Sequence, residues 1–247
     1  MTTASAAALQ PLIVDCAAED GVTPAQVDQL GHAGDPWAGM IFQCSNGLSA
    51  AGSWFNKCWA AARAQLGYGT RWLRGAYHYL RVDESPADQA DLALAAVLAA
   101  GGFDIGDFWL GVDVERGEQP SGATAAQVVA AVSAFAARIL ARTGKRPMLY
   151  AGSYTRGLGI SSRMGCSLLW FPEWTGTLDQ RLLWKMGWDL DTTELWQIVG
   201  DGSNTAPPGY PHTTPIGPLD ISVMVRANLP YSQGMEWTRT HTGAQPT

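Results

Sequence analysis

Eight short apolar runs, separated by longer mixed stretches, set the narrowest limit on what this chain can become. They are Leu12–Asp15, Gly39–Cys44, Leu73–Tyr79, Phe108–Glu115, Pro147–Ala151, Leu168–Phe171, Leu195–Val199 and Leu219–Met224. Most are apolar throughout instead of alternating, the pattern of strands covered on both faces. Helical segments lie between them in the first half. Thr124 and Gln127 form a capping box ahead of a stripe of Val128, Val132, Phe135 and Ile139, and Gly144 suits the position past the end. Ser85 precedes Pro86 at a first helical position, and Ser53 is placed to cap a helix with the stripe Phe55, Trp59, Ala62 and Leu66. Strand–helix alternation with buried strands predicts a parallel α/β sheet.

The second half changes character. After about Trp170 helical stripes are scarce, and Pro207-Pro208-Gly209 and Pro215-Ile216-Gly217-Pro218 break the chain. The expected architecture is an irregular TIM-like barrel of about eight strands with fewer helices than strands, its last part partly antiparallel. No linker divides it. Residues 11–230 are read as one barrel domain, 1–10 as an N-terminal extension and 231–247 as a C-terminal tail. A monomer is expected.

Composition narrows the function. Apolar residues are 47% and charged residues 15%, enough for a large core. A formal net charge of −6 argues against nucleic acid as a partner. No uninterrupted apolar run approaches the ~18 residues of a membrane span. Met1 to Gln10 contains no Lys or Arg, unlike a secretory signal. The 11 Trp residues read two ways, as rings that stack on a saccharide or as core filling. Cys16, Cys44, Cys58 and Cys166 form no C-x-x-C pair, so free thiols are expected, with no metal and no cofactor.

The chemistry is carried by acids at strand ends. Asp15 closes the first run, Asp113 and Glu115 the fourth, and Asp220 lies in the last. In a barrel the C-terminal strand ends converge on one mouth, where active sites sit. Residues i and i+2 of a strand share a face, so Asp113 and Glu115 should both point inward. Closure makes the first and last strands neighbours and brings Asp220 to Asp15. Each acid alone reads equally well as a strand-end cap or half of a salt bridge. Four together are costly, because like charges resist ionising side by side, and that repulsion holds a carboxyl protonated near neutral pH. Glycoside hydrolysis needs such a set: one carboxylic acid protonates the leaving oxygen and a second carboxylate meets the developing oxocarbenium ion. Glu115, longer and followed by Arg116-Gly117, is the candidate acid.

The ordered pieces resemble glycoside hydrolase family 25, the lysozyme (muramidase) family of bacteria and their phages. They are the early strand with Asp15, then Gly75-Ala76-Tyr77-His78-Tyr79, the Asp-x-Glu of Val112-Asp113-Val114-Glu115, Met148-Leu149-Tyr150, Leu169-Trp170, Leu195-Trp196-Gln197 and Leu219-Asp220-Ile221. The resemblance covers about residues 11–225. It implies an irregular α/β barrel that hydrolyses the β-1,4 bond after N-acetylmuramic acid in bacterial peptidoglycan. It implies Glu115 as general acid/base and Asp113 as its assistant or as the group that orients the substrate N-acetyl. Asp15 and Asp220 would line the groove. Tyr77, Tyr79, Tyr150, Trp170, Trp196 and His78 are candidate sugar contacts, with a structural role as the alternative for His78. A covalent intermediate and participation of the substrate acetamido group both stay open.

Three stretches depart from the family pattern: Asp15-Cys16-Ala17-Ala18-Glu19-Asp20, Cys44-Ser45-Asn46-Gly47 and Phe171-Pro172-Glu173-Trp174. His32, His212 and His241 look incidental. Asp189-Leu190-Asp191 and Asp201-Gly202-Ser203-Asn204 read as turns, lacking the twelfth-position acid of a calcium loop. With no leader sequence, a phage lysin is the expected setting, made in the host cytoplasm and released through a holin or carried in a virion. The alternative is a glycan-binding or virion structural module that has kept a degenerate glycosidase barrel.

Overall fold

The computed structural model describes residues 10–66, 72–104, 107–117, 119–174, 176–200 and 206–225. The predicted tail at 231–247, nearly all of the predicted extension, His241 and the turn at 201–204 lie outside them, as does the side chain of Leu66.

All eight apolar runs form strands: β1 (Leu12–Cys16), β2 (Trp37–Asn46), β4 (Leu73–Tyr79), β5 (Gly111–Asp113), β6 (Met148–Tyr150), β7 (Leu168–Pro172), β8 (Thr193–Val199) and β9 (Asp220–Met224). The added β3 (Ser49–Ala50) is a two-residue hairpin arm on β2. The order β1-β2-β4-β5-β6-β7-β8-β9 closes through the β1–β9 pairing into a barrel. Neighbours pair in parallel except β9, which runs antiparallel to both β8 and β1. That is the partly antiparallel end expected from the Pro-rich second half. It also reverses the usual placement rule: the start of β9, not its end, lies at the mouth.

Six helices occur among the described residues: α1 (Pro24–Gly31), α2 (Gly52–Leu66), α3 (Pro86–Ala99), α4 (Ala125–Thr143), α5 (Ser153–Gly157) and α6 (Gln180–Lys185). Thr124 caps α4 with the reciprocal Gln127 contact, and Gly144 ends it at φ 73°, a left-handed conformation glycine tolerates. Ser85 caps α3 ahead of Pro86. Two expectations change. α2 begins at Gly52, which leaves Ser53 inside the first turn and not at the cap. α1 was not predicted, although Thr23, Pro24 and Gln26 make the same capping box as α4. It is eight residues long and buries only Val27 and Leu30, too short a stripe for periodicity to register.

α4 is long and apolar enough, by length and composition alone, to cross a membrane. Here Val128, Ala131, Val132, Phe135, Ala136 and Ile139 are buried against the barrel. Arg138 on the other side pairs with Asp91 of α3 at 2.6 Å.

Inside the barrel, Ile13, Ile41, Leu73, Phe108, Met148, Leu195 and Met224 form an apolar floor. Gly75 is required there. A Cβ at that position would stand 2.8 Å from the Cβ of Phe108, so any larger residue would displace the ring that plugs the barrel. Toward the C-terminal ends Tyr77, Tyr150 and Trp170 form the next layer, with Trp170 meeting Tyr150 and Tyr77 edge-on at 4.8 and 6.0 Å between centroids. Above this layer the inward positions turn acidic.

Candidate active site

Strand register assembles the mouth. Asp15 on β1 lies opposite Asp220 on β9. Tyr79 of β4 and Tyr150 of β6 flank Asp113 of β5 on either side. Gln197 of β8, two positions beyond the interior Leu195, sits beside Ser222 of β9. Its amide donates to both carboxylate oxygens of Asp15 at 3.3 Å and to Asp220 Oδ2 at 3.1 Å. Its carbonyl accepts the Tyr150 hydroxyl at 2.8 Å. One glutamine therefore ties two acids and a tyrosine together. The Trp170 indole donates to Ser222 Oγ at 2.9 Å and fixes the layer below.

β5 is shorter than predicted. It ends at Asp113, and Glu115 lies beyond the strand. The Val114 amide still bonds to the Tyr150 carbonyl at 3.3 Å, and the Tyr79 hydroxyl donates to the Glu115 carbonyl at 3.3 Å. Glu115 is thus carried past the strand end with its backbone held. Its side chain is half-buried, in a cleft of about 430 Å³ lined also by Arg116, Tyr154, Arg156, Glu173 and Trp174.

The electrostatics follow from that crowding. Burial, then the charge of Asp220, holds the Asp15 carboxyl well above the usual carboxylate range, with Gln197 pulling the other way. Burial raises Asp113 likewise, and the charge that adds most to it is Glu115, followed by Asp15 and Asp220. Asp113 Oδ1 is buried and has no hydrogen-bond partner among the described residues. Tyr77 and Tyr150 are also pushed up, by burial first and by these acids second. Asp15 and Asp113 therefore both sense Glu115 and Asp220 across a single mouth.

Of the ten residues singled out from sequence, eight belong to this mouth or its floor, and two do not. His78 alternates outward on β4. It is wholly buried between Ser45 Oγ at 2.8 Å and Gln89 Oε1 at 3.0 Å, and is stacked on Phe135 of α4 at 5.0 Å. Burial pushes it down to about 4, so it is neutral and structural, out of reach of any sugar. Trp196 also points outward, because it follows the interior Leu195 by one residue. It packs beside Leu12, Ile198 and Val199, and its indole donates to the Glu173 carbonyl at 2.7 Å.

Sequence reading passed over Gln197, Asp20, Tyr154 and Trp174. Asp20 follows β1 and adds its charge to Asp15 and Tyr77. Gln197 was visible in Leu195-Trp196-Gln197, and the inward parity of Leu195 selects it over Trp196. The four cysteines are buried free thiols, as expected, and burial raises Cys44 to about 12 and Cys58 to about 11.

Gln197→Met tests the bridge. The variant keeps volume but removes the donors to Asp15 and Asp220, each a hydrogen bond to a charged group worth about 1.5–3 kcal/mol. Loss of the contact that lowers Asp15 raises that carboxyl further. A more protonated Asp15 sets less negative charge beside Glu115, so the alkaline limb of the pH–rate profile should move down, and turnover should fall about tenfold. An unshifted profile would leave Gln197 with a packing role only.

A closed barrel that gathers four carboxyl groups at one mouth, with two held above their ordinary range and one in an open cleft, is the apparatus of a glycoside hydrolase. The comparisons agree. Residues 32–204 match the model of glycosyl hydrolases family 25. A muramidase from Trichobolus zukalii has the same fold, with TM-score 0.66, 17% identity, and 93% of this chain and 99% of that one covered. The bacterial lysozyme of Streptomyces coelicolor superposes with TM-score 0.66 at 18% identity, covering 94% and 98%. The catalytic domain of an endolysin from bacteriophage P40 of Listeria monocytogenes gives 0.64 at 16%, covering 95% and 99%. No curated protein matches the chain. The chain belongs to glycosyl hydrolases family 25 and is a glycoside hydrolase.

Proposed function

We propose that the protein is an N-acetylmuramidase that cleaves the β-1,4 bond after N-acetylmuramic acid in bacterial peptidoglycan. The convergence of Asp15, Asp113, Glu115 and Asp220 on one mouth carries this reading. Glu115, at the open cleft, protonates the glycosidic oxygen as the bond from the anomeric carbon breaks. Its carboxylate then takes a proton from the water that completes hydrolysis. Asp113 offers Oδ1, which no described protein group engages, to the substrate acetamido group. Tyr77, Tyr79 and Tyr150 form the wall and floor, and Asp15 and Asp220, tied by Gln197, set the field around Glu115.

Purified peptidoglycan tests the reading. Turbidity should fall and new reducing ends should carry muramic acid. Reducing ends on glucosamine would assign the opposite bond, and tight binding without new ends would favour a glycan-binding module. The setting we infer is a phage lysin acting on the wall after release through a holin or within a virion, supported by the likeness to the phage endolysin domain. Expressed in a bacterial cytoplasm, the protein should lyse cells only once the membrane is permeabilised, and lysis without that step would overturn this setting.

A further inference from the structure

The cleft at Glu115 continues outward. Between the segment that follows β5 and the helix α5 a second cavity of about 740 Å³ opens. Both cavities are lined by Arg116, Ser153 and Tyr154, so they form one branched depression. Gln119, Ser121 and Leu158 line the outer arm.

The two arms differ in charge. In the inner arm Arg156 is offset by Glu173, whose Oε2 lies 3.2 Å from Nη1. Arg116, at the junction, is exposed and forms no ion pair among the described residues. It stands close enough to Tyr154 for its charge to act on the phenol. The outer arm thus presents a cation that pairs with no carboxylate among the described residues.

A glycan of N-acetylated sugars whose lactyl groups are joined to peptide in amide linkage is itself uncharged. The anions such a polymer carries beside its glycosidic bonds are peptide carboxylates. The planar guanidinium fork matches a carboxylate in two parallel hydrogen bonds. We propose that the outer arm is a subsite for the peptide stem of the substrate, with Arg116 holding a stem carboxylate and Tyr154 forming the wall between stem and glycan. The assignment rests on the muramidase reading above.

The test compares two substrates free of other wall polymers: peptidoglycan with intact stems, and the same peptidoglycan with its stem carboxylates converted to amides. The readout is the ratio of kcat/KM on the first to that on the second, measured for wild type, Arg116→Gln and Arg116→Lys. The ratio should fall about tenfold in Arg116→Gln, mostly through KM, the scale of one charge-assisted hydrogen bond. Arg116→Lys, which keeps the charge but not the fork, should recover part of it. Wild-type ratios in both variants would overturn the subsite and leave the muramidase reading standing. Wild-type protein that cleaves neither substrate would overturn that reading and the subsite with it.

Discussion

Glu115→Gln should lower turnover on peptidoglycan by about 10²–10⁴-fold, the range for loss of a general acid. The amide has the shape of the acid but no proton to give the leaving oxygen. The fold has little reason to respond. Glu115 lies beyond β5, its side chain is half-buried in an open cleft, and the contact that holds the segment is made by its backbone carbonyl to Tyr79. A melting temperature within a degree or so of wild type, beside a collapsed rate of reducing-end release, is the expected pair of results. Near-normal turnover would remove Glu115 from the acid role and turn attention to Asp15 or Asp220.

The sequence made the strands legible because they are buried on both faces: eight continuous apolar runs leave few other folds. It made three of the acids legible as strand-end residues, and closure of the barrel predicted that Asp15 and Asp220 meet. Parity was the weak point. A strand covered on both faces shows no alternation, so apolar content could not say whether Trp196 or Gln197, or His78 or Tyr79, faces inward. The register resolves both pairs. Gln197 and Tyr79 point into the mouth, while Trp196 and His78 pack outside it. The short helices stayed hidden for another reason. α5 and α6 have five and six residues, fewer than the two turns that a 3.6-residue period needs to show itself.

Asp113→Asn should be nearly as damaging to activity as loss of Glu115, and it should make the protein more stable. The two effects share one cause. Asp113 is buried among Glu115, Asp15 and Asp220, so its folded-state carboxyl is held well above the range of the unfolded chain. The folded protein then binds a proton that the unfolded chain releases. Stability is full below about pH 4, the ordinary range of an aspartic acid, and falls as pH rises toward the raised folded value. An amide cannot ionise and escapes that loss. At neutral pH the variant should therefore melt higher, each kcal/mol recovered appearing as about 2–4 °C in a chain of this size. Its stability should also change less between pH 4 and 7 than that of wild type. The active site keeps the acid because Asn presents a donor where Oδ1 accepts and cannot exchange a proton as the acetamido group reacts, and turnover should drop about 10²-fold or more. A variant that melts at or below the wild-type temperature across this window would show that Asp113 is not the strained acid its surroundings describe. Near-wild-type turnover would make it a structural residue, with Glu115 left to work with Asp15 and Asp220 alone.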